Sequence, residues 1–124
     1  MFKLDSTRAL EITLAASITS NQLQGAVSYI DMPQNQLSAN KLNRLGAEST
    51  FTSSHATDVT AVPAPLVVGT IREWDGLNIY NSDSATAQVT VKINTSNTDT
   101  ILKKHTLNPG QTLFCTQQSG WGVL

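Results

Sequence analysis

The run Leu77-Asn78-Ile79-Tyr80-Asn81-Ser82-Asp83-Ser84-Ala85-Thr86-Ala87-Gln88-Val89-Thr90-Val91-Lys92-Ile93 decides the fold. Ala87, Val89, Val91 and Ile93 alternate with Gln88, Thr90 and Lys92, the period of a strand with one buried and one wet face. β-Branched residues suit such a pleated, half-buried surface. Leu77, Ile79 and Tyr80 belong to the strand before it. Asn81 to Ser84 offers short polar side chains that bond their own backbone and favour turns. The two strands read as a hairpin, with Ala87, Val89, Val91 and Ile93 facing the core.

Working toward the C-terminus, Asn94 to Asp99 is a polar loop and Ile101 to Leu107 a strand. Asn108-Pro109-Gly110 is a tight turn, because Pro fixes φ and Gly accepts a positive one. Thr112 to Thr116 is a further strand, and Trp121 to Leu124 is terminal, with Trp121 as a core plug. This strand train spans residues 66–124, and Asp75-Gly76 inside it marks a bulge or a turn.

Toward the N-terminus, residues 1–9 read as an arm. Leu10, Ile12 and Leu14 alternate with Glu11 and Thr13, which favours a strand over a helix through Asp5 to Ala16. Leu23, Gly25, Val27 and Tyr29 alternate again, and Met32-Pro33 ends that strand. Residues 34–50 break the rhythm with Leu37, Leu42 and Leu45 among polar residues. This is a long surface loop, or a loop holding a short helix from Ser38 (N-cap) to Leu45, with Gly46 as C-cap. Phe51 to Val62 resumes strand character, with Thr57, Val59 and Ala61 on one face. Pro63-Ala64-Pro65 closes it and is the best place for a hinge between an N-terminal half and the strand train. The expectation is an all-β, single-domain β-sandwich or jelly-roll-like fold of about seven to nine strands.

The chain has 124 residues, is 40% hydrophobic and only 14% charged, and carries eight basic residues against nine acidic ones. Its polarity comes from Ser, Thr, Asn and Gln. No basic field exists to hold phosphates, so nucleic acid is not expected as a partner. No apolar run is long enough to span a membrane. Met1 to Asp5 has neither the basic start nor the apolar core of a signal peptide, so synthesis in a cytoplasm is expected. One cysteine excludes an internal disulfide framework.

The candidate chemistry is sparse. Cys115 and His105 fall on adjacent segments that could pair as nucleophile and base, but Cys115 beside Phe114 reads as a small core residue. His105, beside Lys103 and Lys104, reads as part of a wet strand face. His55 and Asp58 lack the further ligands that zinc requires. Asp75, Asp83 and Asp99 lie in or near turns without a calcium-loop pattern and read as turn formers. Gly69, Gly76 and Gly110 are too isolated to cradle a phosphate. Asn94-Thr95-Ser96 matches a glycosylation acceptor, an accidental match in a protein without a secretory signal. Trp74, Tyr80 and Trp121 could make an aromatic carbohydrate platform, although a small β domain readily uses such residues in its core. No enzyme activity, metal or cofactor is expected.

Four stretches carry a resemblance: Leu77-Asn78-Ile79-Tyr80-Asn81-Ser82-Asp83, Ala87 to Ile93, Thr106-Leu107-Asn108-Pro109-Gly110, and Gly120-Trp121-Gly122-Val123-Leu124. Together with the Val62-Pro63-Ala64-Pro65 entry, they resemble the C-terminal halves of small tailed-bacteriophage virion proteins. The resemblance covers the second half of the chain and rests on turns and a terminal Trp. It implies a virion structural protein, a capsid decoration (cement) or head-surface protein first, and a minor tail, adaptor or baseplate component second. A host-glycan-binding attachment module is a third reading. The resemblance further implies a homo-oligomer, a trimer by analogy, partnered by the major capsid protein or tail proteins. On this reading Leu37, Leu42 and Leu45 are oligomer contacts, since their burial is worth roughly 1.5–3 kcal/mol each when complete.

Overall fold

The computed structural model describes residues 3–33 and 45–124. Among them are ten strands and no helix. The strands are β1 (Lys3–Leu4), β2 (Arg8–Leu14), β3 (Gln24–Pro33), β4 (Leu45–Thr52), β5 (Val59–Val62), β6 (Thr70–Tyr80), β7 (Ala87–Thr95), β8 (Thr98–Leu107), β9 (Thr112–Thr116) and β10 (Gly120–Val123). They form two antiparallel sheets packed face to face as a β-sandwich. One sheet runs β10-β9-β6-β3-β4, with β1 also on β6, and the other runs β5-β2-β7-β8.

The alternating residues supply the core. Leu10, Ile12 and Leu14 of β2 and Val89 and Val91 of β7 are buried, opposite Val27, Leu77, Ile79 and Leu113 of the other sheet. Ala87 and Ile93 are partly buried against the same cluster. Each large side chain so buried stabilises the fold by roughly 1.5–3 kcal/mol. Gly25 stands opposite Phe51, and the Phe51 ring lies over the place where a Cβ would be. A side chain at position 25 would displace that ring.

The topology departs from the sequence reading in several places. β6 and β7 are not a hairpin: β6 lies in one sheet and β7 in the other. Residues 81–86 carry the chain across the sandwich, and residues 108–111 carry it back from β8 to β9. The two crossings are tied together, since Asn81 N–H donates to Gln111 O (2.9 Å) and Gly110 N–H to Asn81 O (2.8 Å). The Pro109-Gly110 turn is as expected, with Gly110 at φ 83° and Gln111 N–H closing onto Asn108 O.

The Asn81–Asp83 corner is the polar centre of this end. The Asn81 side chain is fully buried; its Nδ2 donates to Ala85 O and Leu107 O, each at 3.0 Å, and its Oδ1 accepts from Asp83 N–H. The Asp83 carboxylate accepts backbone N–H bonds from Thr19 (2.8 Å), Ser20 (2.7 Å), Asn21 (3.1 Å) and Ser84 (2.9 Å), plus the Ser20 hydroxyl. The Thr19 amide first, joined by Ser20 and Asn21, holds this carboxyl well below the usual carboxylate range against the opposing effect of burial. A depressed acid stabilises the fold above its ordinary value near 4, and that stabilisation fades as pH falls below it.

The N-terminal segment is no free arm. Lys3 and Leu4 pair with Glu73 and Arg72, and Leu4 is fully buried, so an apolar anchor holds the start of the chain to β6. Nor do Pro63 to Pro65 separate two halves. β2 pairs with β7, and β3 and β1 pair with β6, so each sheet is built from strands of both halves. Phe51 to Val62 is not one strand: β4 ends at Thr52, His55 takes a positive φ of 50°, and β5 begins in the opposite sheet. Leu37 and Leu42 lie outside the described residues, as does the stretch from Ser38 up to Leu45. The backbone of Leu45 opens β4, so the last residues of the expected 34–50 loop are strand. Asn94 to Asp99 shrinks to the two-residue turn Ser96-Asn97, both at positive φ, as a tight β-hairpin needs.

The corner sets a stability test. Asn81→Ala strips the buried Leu107 carbonyl and the part-buried Ala85 carbonyl of a donor and should cost roughly 2–4 kcal/mol. Asn81→Asp should lower the melting temperature further, because it sets an acceptor against the same two carbonyls. Thermal denaturation of the three proteins checks the order.

Candidate functional site

Two surface features stand out, both shaped by β6. The first is the turn that leads into it. Leu66, Val67 and Val68 are 97%, 69% and 86% exposed, three consecutive large apolar residues in water. The turn is firmly based. Pro65 is buried beside it, Thr70 N–H closes onto Val67 O (3.1 Å), and Gly69 takes a φ of 91°. Arg72 braces the base. It donates to both Asp31 oxygens (2.6 and 2.8 Å) and to Pro63 O (2.7 Å), and its guanidinium lies 4.3 Å from the centre of the Tyr29 ring. Hydrogen bonding to Asp31 raises the Arg72 pKa above its ordinary value. An apolar tip on a braced base is the form of a docking surface.

The second feature is a cavity of about 260 Å³ lined by Trp74, Asp75, Cys115, Thr116, Gln117 and Trp121. It lies where the neighbour of β6 changes. β1 pairs with Arg72 and Glu73, and β9 pairs from Leu77 onward. Between them the chain bulges: Ala26 faces Asn78 but Ser28 faces Asp75, and Gly76 at φ 67° supplies the extra residue. The bulge expected at Asp75-Gly76 is therefore present. Asp75 Oδ1 takes up the local N–H groups, from Gly76 (2.8 Å) and from Gln117 (2.7 Å). A shallower groove lined by Asp75 and residues 116–119 continues from the cavity.

The three aromatics of the expected platform do not act together. Trp74 is buried and Trp121 is partly buried against the core, and both line the cavity, whereas Tyr80 is exposed on another part of β6. Cys115 and His105 are not on neighbouring strands, because β9 and β8 belong to different sheets. Burial, with the nearby Asp75 charge, pushes the Cys115 thiol up, which keeps it protonated and unreactive at neutral pH. His105 faces Val89 on the half-buried side of β8. His55 accepts from Ile18 N–H through Nδ1 (3.3 Å), while Asp58 pairs with Lys92 instead. Asp75, Asp83 and Asp99 each serve a different local structure. Among the described residues, no group of three or more His, Cys, Asp or Glu is placed to hold a metal ion.

Thr90 is buried, and with it Lys92 corrects the expectation of a wet outer face on β7. Its side chain is only 8% exposed, and Nζ lies 2.8 Å from both Asp58 Oδ1 and Asp99 Oδ2. Burial works against its charge, yet bonding to Asp58 and Asp99 wins and raises its pKa. Glu11 stands beside Lys92 across the β2–β7 ladder, with Oε1 buried and unbonded among the described residues. Burial first, and the Asp58 charge second, raise the Glu11 pKa.

No family model matches the chain, and neither a curated protein nor a solved structure does.

The Glu11 environment makes a signed prediction. A raised carboxyl pKa means that ionised Glu11 costs stability, from the ordinary value near 4.3 upward, and that the cost vanishes below it. Glu11→Gln should therefore raise the melting temperature at pH 7 and leave it unchanged near pH 3. Melting curves across that range test this.

Proposed function

We propose that this protein is a structural component of a tailed-bacteriophage virion, a capsid decoration (cement) or head-surface protein that works by burying surface against neighbours. The observation that carries this reading is the braced apolar tip Leu66-Val67-Val68. A three-residue apolar projection is unfavourable in water. It suits a protein whose resting state is an assembly, where each side chain gains roughly 1.5–3 kcal/mol on full burial. The neutral, hydroxyl- and amide-rich surface supports the same reading, because it joins another protein without desolvating many charges. The resemblance of the second half to small phage virion proteins gives the assembly its kind, and the proposed partners are further copies of this chain and the major capsid protein.

The tip carries the test. Leu66→Ser, Val67→Ser and Val68→Ser together should leave the melting temperature within a few degrees, since exposed positions contribute little to folding. The triple variant should lose at least about tenfold in affinity for the capsid in a sedimentation assay. Undiminished capsid binding by the variant would overturn the role of the tip. Parent protein that sediments with isolated tails and not with heads would overturn the head assignment in favour of the tail component.

A further inference from the structure

We infer that the cavity between Trp74 and Trp121 is a binding site for one pyranose ring of a neutral glycan. This goes beyond the assembly role, since it uses a different surface from the apolar tip. At about 260 Å³ the cavity falls just below the roughly 300 Å³ at which pockets for drug-sized ligands begin, so it suits a single ring. Its walls are of two kinds. Trp74, Cys115 and Trp121 make an apolar interior, and Asp75, Thr116 and Gln117 bring a carboxylate, a hydroxyl and an amide.

That mixture discriminates among ligands. An apolar side chain would fill the interior, but it would also desolvate the Asp75 carboxylate without replacing its bonds to water. A pyranose has an apolar C–H face, which packs on the part-exposed indole of Trp121, and hydroxyls around its rim, which donate to a carboxylate and exchange bonds with hydroxyl and amide groups. Asp75 is already fixed through Oδ1 by the N–H groups of Gly76 and Gln117, so the acceptor is held in place before any ligand arrives. Its charge opposes an anionic sugar at the same place, which selects neutral rings. The groove lined by Asp75 and residues 116–119 leads away from the cavity and gives the remainder of a glycan a polar path.

The test uses the full chain, labelled with ¹⁵N, and follows the indole N–H resonances of Trp74 and Trp121. The probes are the methyl glycosides of glucose, galactose, mannose and N-acetylglucosamine, with sialic acid and p-cresol for comparison. At least one neutral glycoside should shift the Trp121 resonance saturably, with a Kd on the order of 1 mM for a single ring. Trp121→Ala, or Asp75→Asn if the first variant is poorly folded, should weaken that binding at least about tenfold, while Tyr80→Ala should not change it. Indole resonances unmoved by every neutral glycoside would overturn the inference. A response to p-cresol alone would overturn it too and assign the cavity to an aromatic side chain of a protein partner. Loss of glycan binding with capsid binding intact, or the reverse, separates this site from the tip.

Discussion

The sandwich depends on one carboxylate and one amide at the corner where β6 hands the chain to β7. A strand that leaves one sheet for another must release its backbone groups from one ladder before it enters the next, and buried groups released in this way need partners. Asn81 meets that need within the crossing, by bonding Ala85 O and Leu107 O. Asp83 meets it for a second segment, by gathering the N–H groups of Thr19, Ser20 and Asn21 from the connection between β2 and β3. Three sheet crossings, β2 to β3, β6 to β7 and β8 to β9, are thereby fixed at a single point. Charge-assisted bonds of this kind are stronger than neutral ones.

From that corner the frame extends to the working surfaces. β6 runs from the corner past the bulge at Gly76 to the base of the apolar tip, and it contacts β1, β3 and β9 on the way. The cavity is a by-product of this arrangement, the gap left where β1 stops and β9 begins. The edges of the sandwich are also managed. β8 is a long edge strand, but it carries Lys103, Lys104 and His105, which discourage another strand from pairing there. Ile101 of β8 and Leu124 are exposed singly, whereas Leu66, Val67 and Val68 are three exposed apolar residues in a row.

Much of this was legible in the sequence, and what was not has a physical reason. The alternation in Leu10-Ile12-Leu14 and Val89-Val91 identified two strands and the face each turns to the core, but not the burial of Thr90 and Lys92 on the other face of β7. Gly76 and Pro109-Gly110 announced the bulge and the turn, since few residues tolerate those backbone angles. Alternation does not say which sheet a strand joins, however. Asn81 to Ser84 has the composition of a hairpin loop and of a sheet crossing alike, so the hairpin reading failed there. Lys92 is buried because Asp58 arrives from another strand, a partner that no local pattern reveals. Leu66-Val67-Val68 looks like any buried strand entry, and only the fold shows it to be a tip. The Trp74–Trp121 pairing, likewise, arises from a change of neighbour along β6. The sequence had proposed these aromatics together with Tyr80, which the bulge and the sheet geometry leave elsewhere.

The claim that the Asn81–Asp83 corner holds the two sheets together is most directly tested by native-state hydrogen exchange. The amides of Thr19, Ser20, Asn21 and Ser84 donate to Asp83 outside any strand ladder, so local opening of the corner would expose them first. The account predicts that they exchange as slowly as the amide of Val91 at the centre of β7, through global unfolding alone. Fast exchange at these four amides while Val91 stays protected would contradict it.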